Sequence, residues 1–140
     1  ILSFLDLGIF LTNFRVSNML DRFDLWAYRD DHNCWDYVRE FLIDRADIDS
    51  CDVPKFGICP NNKRAMTKAA LGVSKMFTES GPAQHAIACH YLGTTLIHVG
   101  IVDGGKVRHT GKETGARSDT IEDFEAMATT RYMLHKSLWH

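Results

Sequence analysis

Cys34 stands where a polar run gives way to an amphipathic one, in DDHNCWDYVREFL, residues 30–42. A thiol becomes a strong nucleophile as its thiolate, and the positive end of a helix and a nearby imidazole both lower its pKa. Asn33 is a good N-cap, and Asp36 three residues later brings a negative charge to the first turn. The spacing therefore predicts a helix over residues 34–43 with Cys34 in its first turn. Two histidines in HVGIVDGGKVRH supply candidate imidazoles. His98 belongs to a strand on which Leu96, His98 and Gly100 share one face and Ile97, Val99 and Ile101 the other. His109 lies on the partner strand after a glycine turn. If Asp103-Gly104 forms a two-residue turn, His98 faces His109. If Gly104-Gly105 does, His109 faces Gly100, diagonal to His98 on the same side. Either turn puts both imidazoles on one side, with Gly100 leaving that face uncrowded. The chemistry such a set can do is acyl transfer by sulfur, with one imidazole moving the proton and the other orienting it. Taken singly, a strand histidine is more often a core or surface residue, and a cysteine at a helix start a small buried one. Their joint occurrence is more specific.

The elements that must hold these residues can be read in outline. Trp35, Val38, Phe41 and Leu42 form one face of the Cys34 helix. A second helix is expected from Pro60, in the first-turn position where proline is tolerated, to about Phe77, with Met66, Ala70, Val73 and Phe77 as its core stripe. QHAIACHYL, TTLIHVGIVD and KVRHTG read as strands, with DGG as the tight turn between the last two. Thr120 starts a short helix, TIEDFEAMA, and RYMLHKSLW closes the chain as a strand. Helices first, then an antiparallel meander with one helix inserted, is an α+β layout. In residues 1–25 the apolar positions fit a buried helix or a strand equally well.

Bulk properties narrow the function class. The chain has 140 residues, 45% of them hydrophobic, enough for one compact domain. A net charge of -2 offers no surface for nucleic acid. No apolar run reaches the roughly 18 residues of a membrane span. ILSFLDLGIFLTNF lacks a basic leader and a cleavage site, so it does not read as a signal peptide. Starting at Ile1, the chain is expected to be a fragment or a processed product. Cys34, Cys51, Cys59 and Cys89 are too few and too irregular for a disulfide scaffold. Cys51 and Cys59 flank a loop that a disulfide could close, and two free thiols are the simpler expectation. His85, Cys89 and His90 are typical ligand types, but on a strand His90 faces away from the other two, so no shared metal is expected.

The order of a cysteine at a helix start, HVGI on a strand, a glycine turn and a second histidine resembles the NlpC family of papain-like cell-wall cysteine peptidases. The resemblance covers residues 26–140 and is strongest in HVGIVDGGKVRH. It implies a papain-like fold, with N-terminal helices packed on an antiparallel sheet. It also implies Cys34 as nucleophile, His98 as base and His109 as its orienting partner. Tyr28 matches the family tyrosine before the cysteine and, with Trp35, would touch substrate. NCWD stands where the family usually has DCSG, a CW form that looks like the branch found in phage tail components. AQHA replaces the usual Gly-Asp before the middle strand. No metal or cofactor is implied. The implied activity is cleavage of peptidoglycan stem peptides, between D-glutamate and a diamino acid. The implied setting is a phage-tail-like particle or the cell wall outside the membrane. Residues 1–25 would then be an attachment segment that meets other tail or particle proteins. Two other readings use the same residues. One is an amidase of the CHAP type, cutting between muramic acid and L-alanine, against which His109 argues because those enzymes more often carry an acid or amide third. The other is a docking component that keeps the fold without the chemistry.

Overall fold

Asn33 begins the helix over Cys34–Arg45 as its position requires. Its side chain accepts from the N–H groups of Trp35 and Asp36, and the Asp36 carboxylate accepts from the Asn33 N–H at 2.9 Å. This reciprocal cap satisfies donors that a helix start leaves open. The computed structural model describes residues 21–57 and 62–139. In it α1 spans Cys34–Arg45 and buries Cys34, Trp35, Tyr37, Val38, Phe41 and Leu42.

The second helix, α2, is shorter than expected, Lys63–Gly72, and is capped by the Asn62 side chain accepting from the Ala65 N–H. Pro60 and Cys59 lie outside the described residues. After Gly72 the chain makes a 3-10 turn at Ser74–Met76 and then extends into β1, Phe77–Ser80. Phe77 is in the core, but as the strand partner of His135 rather than as the end of a helical stripe. A local helical pattern could not anticipate that distant partner. Within the stripe Met66 is buried, while Ala70 and Val73 only lean on the core.

Five more strands follow: β2 Ile87–Leu92, β3 Thr95–Asp103, β4 Lys106–Gly111, β5 Gly115–Thr120 and β6 Thr129–His135. Between β5 and β6 runs α3, Ile121–Met127, whose cap Thr120 accepts from the Asp123 N–H. The strands form one antiparallel sheet in the order β1-β6-β2-β3-β4-β5. The fold is therefore α+β: among the described residues, three helices on a six-stranded antiparallel sheet. The closing strand ends at His135, where a 3-10 turn begins.

The sheet carries a core on each face. Ile87, Cys89, Leu96, Val99 and Ile101 meet α1, Phe23 and Met66 on one side. Ala88, Val102, Val107 and Tyr132 meet Phe124 of α3 on the other. The β2–β3 ladder slips once, so that His90 pairs with His98 but Tyr91 with Leu96. This bulge turns Leu96 to the helical side with Val99 and Ile101, against simple alternation, and leaves Ile97 only half-buried.

Arg108 anchors the start of the domain. Its guanidinium lies over the Phe41 ring at 5.2 Å and pairs with Asp21, Asp24 and Asp103 at 3.2, 3.0 and 3.2 Å. Phe23 is fully buried beneath it, so the packed domain reaches back to Asp21, inside the expected attachment segment. Residues 1–20 lie outside the described residues. Among those described, no helix is long and apolar enough to cross a membrane.

Candidate active site

Gly104 and Gly105 take φ of 59° and 78°, a left-handed pair that closes the β3–β4 hairpin in two residues. The register that follows pairs Asp103 with Lys106 and Ile101 with Arg108, the second of the two expected turns. His109 thus comes to lie against Gly100. A Cβ at Gly100 would stand 2.6 Å from Val107 Cγ1 and 3.1 Å from His109 Cβ, so glycine is what lets β4 close over it. Beyond Ile101 and Arg108 the β3–β4 ladder stops, while β4 continues to pair with β5, His109 with Arg117. The two strands part there and leave a gap.

The imidazoles span that gap on the α3 side. His98 Nε2 and His109 Nδ1 are 2.9 Å apart, with the rings edge to face. His109 Nε2 in turn lies 2.6 Å from Asp119 Oδ2. Arg117 donates to both oxygens of that carboxylate, at 2.9 and 2.7 Å. Phe124 presents its ring to His109, and His90 stacks on it while donating to the Phe124 carbonyl at 2.7 Å.

Cys34 lies on the helical side of the sheet. The Val102 N–H bonds to Ala86 O, towards β2. By alternation along an antiparallel strand, the Val99 N–H points the other way, to where β4 has departed. It is directed at the Cys34 thiol. Cys34 and the histidines therefore lie towards opposite cores, with the Val99 N–H, next in the chain to His98, beside the thiol. The Lys63 ammonium acts on both Cys34 and His98.

The electrostatics differ from the expectation of a depressed thiol. Burial pushes the Cys34 thiol up, outweighing the N–H groups of Val99, Trp35 and Cys34 itself and the charge of Lys63. Burial, reinforced by His109, His90, Lys63 and Arg117, pulls His98 down to about 3. The resting pair is a neutral thiol and a neutral imidazole. The helix start is present, but it opens inside the core, where desolvation is the larger effect. Burial also lowers His109 against the opposing pull of Asp119, and lowers His90. Asp119 is held below the usual carboxylate range, chiefly by Arg117.

Trp35 is buried, stacked on Phe56 at 4.8 Å, and donates its indole N–H to Pro54 O at 2.9 Å. It lines a largely apolar cavity of about 430 Å³ on the helical side, with Phe56, Cys89, Tyr91, Leu96 and Val99 among the other walls. Tyr28 is half-buried in the loop before α1, beside the Arg29–His32 bridge, and is not one of the cavity's walls. Cys89 sits in the apolar core with its thiol pushed up to about 12, and Cys51 is exposed. Cys89 and His90 face opposite cores. Among the described residues, no three His, Cys, Asp or Glu side chains gather as a metal site.

Sequence reasoning missed Asp119, Arg117, Lys63 and the placement of His90. For the first two a signal existed: Arg117 and Asp119 alternate in GARSDT, one short loop after the His109 strand. No protein-family model, curated protein or solved structure matches the chain.

Proposed function

We propose that the chain is a cysteine peptidase that cleaves stem-peptide amide bonds of bacterial peptidoglycan, as the resemblance of HVGIVDGGKVRH to the NlpC family implies. The single observation that supports it most is the 2.9 Å contact between His98 and His109, with Asp119 behind His109, the kind of relay that orients a base for a nucleophile. Cys34 sulfur attacks the carbonyl carbon as its proton passes to His98, so charge appears only during the reaction. The Cys34 backbone N–H, at the start of α1, helps hold the developing oxyanion. The C–N bond breaks, and the His98 proton leaves with the amine. Water, deprotonated by His98, then hydrolyses the thioester and restores the thiol. Trp35 contributes a wall to the substrate side, and the resemblance assigns Tyr28 a contact with substrate. The bond is that between D-glutamate and a diamino acid. The protein acts at the cell wall, as part of a phage-tail-like particle that opens it, and the attachment role expected of residues 1–25 rests with those ahead of Asp21.

Digestion of purified sacculi of defined chemistry, with products identified by mass spectrometry, tests this. Fragments split within the stem peptide are expected, and Cys34→Ala should release none. Whole stem peptides freed from muramic acid would replace the peptidase with an amidase. Equal products from wild type and Cys34→Ala would end the thiol mechanism.

A further inference from the structure

Two neutral imidazoles joined by one hydrogen bond have two arrangements. In one, His98 donates through Nε2 and keeps a lone pair on Nδ1. In the other, His109 donates, and His98 presents an N–H where a base is needed. Nothing in the pair itself chooses between them.

Asp119 makes the choice. Arg117, two residues earlier on β5, grips both of its oxygens, and the carboxylate so held can only accept. His109 Nε2, 2.6 Å away, must therefore carry a hydrogen. Burial keeps the His109 ring neutral near pH 7, so its Nδ1 holds a lone pair. His98 Nε2, 2.9 Å from that lone pair, must donate to it. The remaining nitrogen of His98, Nδ1, is left as the acceptor. His90 does not compete, because its Nε2 is committed to the Phe124 carbonyl.

We propose that Asp119 is a positioning residue that fixes the tautomers of both His109 and His98, and so selects His98 Nδ1 as the base. Its effect on turnover rests on the peptidase reading; its effect on the tautomers does not. Asp119 bonds to Arg117 and His109, and its influence on His98 passes through His109.

Two-bond proton–nitrogen correlation spectra of the full chain with ¹⁵N-labelled histidine read the tautomers directly. In the wild type, both His98 and His109 are expected to be protonated at Nε2 alone. Asp119→Asn keeps the shape, but its amide NH₂ can turn to His109 while its oxygen faces Arg117, so both rings should change to the Nδ1–H form. Asp119→Glu, which retains a carboxylate, should keep the wild-type pattern. On sacculi, Asp119→Asn should lose turnover by up to about 10⁴-fold with little change in KM, as expected when a base holds the wrong tautomer. His98 protonated at Nδ1 in the wild type, or identical tautomers in wild type and Asp119→Asn, would overturn the proposal. The wild-type spectrum alone can do so if the variant fails to fold. A wild type inert on sacculi would instead remove the peptidase reading, with the spectra still deciding the role of Asp119.

Discussion

His98 and His109 hold different places in one hydrogen-bonded line, and substitutions should separate them. His98→Ala removes the proposed base and should cost the most, about 10⁴-fold or more in turnover. His109→Ala should come next, because it cuts His98 off from Asp119. His109→Gln should be mildest, since an amide can accept from His98 and donate towards Asp119. Steady-state rates on sacculi would show this order, and full activity in a folded His98→Ala protein would rule the mechanism out. The neutral resting pair leads to a second expectation. On the proposed mechanism His98 takes the Cys34 proton, so iodoacetamide labelling of Cys34 should slow markedly in His98→Ala. Labelling of exposed Cys51 should stay unchanged, and that of Cys89, pushed up to about 12, slow in both. Peptide mapping over time would read all three, and a Cys34 rate indifferent to His98 would break the link between them.

At the scale of elements, α1 and the β3–β4 hairpin position the chemistry. Asn33→Ala removes the acceptor for the Trp35 and Asp36 N–H groups and should cost about 1 kcal/mol in a urea titration. Gly100→Ala should be worse, about 1–3 kcal/mol, since the new methyl meets Val107 and His109 and must push β4 aside. Both elements were legible in the sequence because their causes are local: a cap three residues from its partner, a stripe of apolar residues, two glycines in a turn. The register of the hairpin was narrowed to two choices by the same means. β1 and β5 were not legible. β1 exists through β6, more than fifty residues on, and GARSDT carries no apolar alternation because its useful side chains are Arg117 and Asp119. The bulge at Tyr91 and the parting of β3 from β4 also arise from tertiary packing. So does the raised Cys34 thiol, since burial is a property of the fold and not of a motif.

For the whole molecule, the cluster of histidines couples stability to pH. His90, His98 and His109 all titrate lower in the folded chain than their ordinary value of 6.5. The unfolded chain therefore binds protons first as the solution is acidified. Stability is full above about 6.5 and falls below it, by about 1.4 kcal/mol per pH unit for each group that stays neutral when folded. Urea midpoints measured from pH 7 to 4.5 should drop, and His98→Gln should flatten the slope by about one proton. An unchanged slope would mean that the ring is not kept neutral by the fold. The sheet order has a different outcome, one that concerns synthesis. β6 lies between β1 and β2, yet it is the last of the six to be made. From the completion of β2 at Leu92 until Thr129 is added, the slot for β6 stands empty between two unpaired strand edges. Such edges invite pairing with other chains. A nascent chain stalled before Thr129 would be a substrate for chaperones, because the domain can close only once His135 has cleared the exit tunnel.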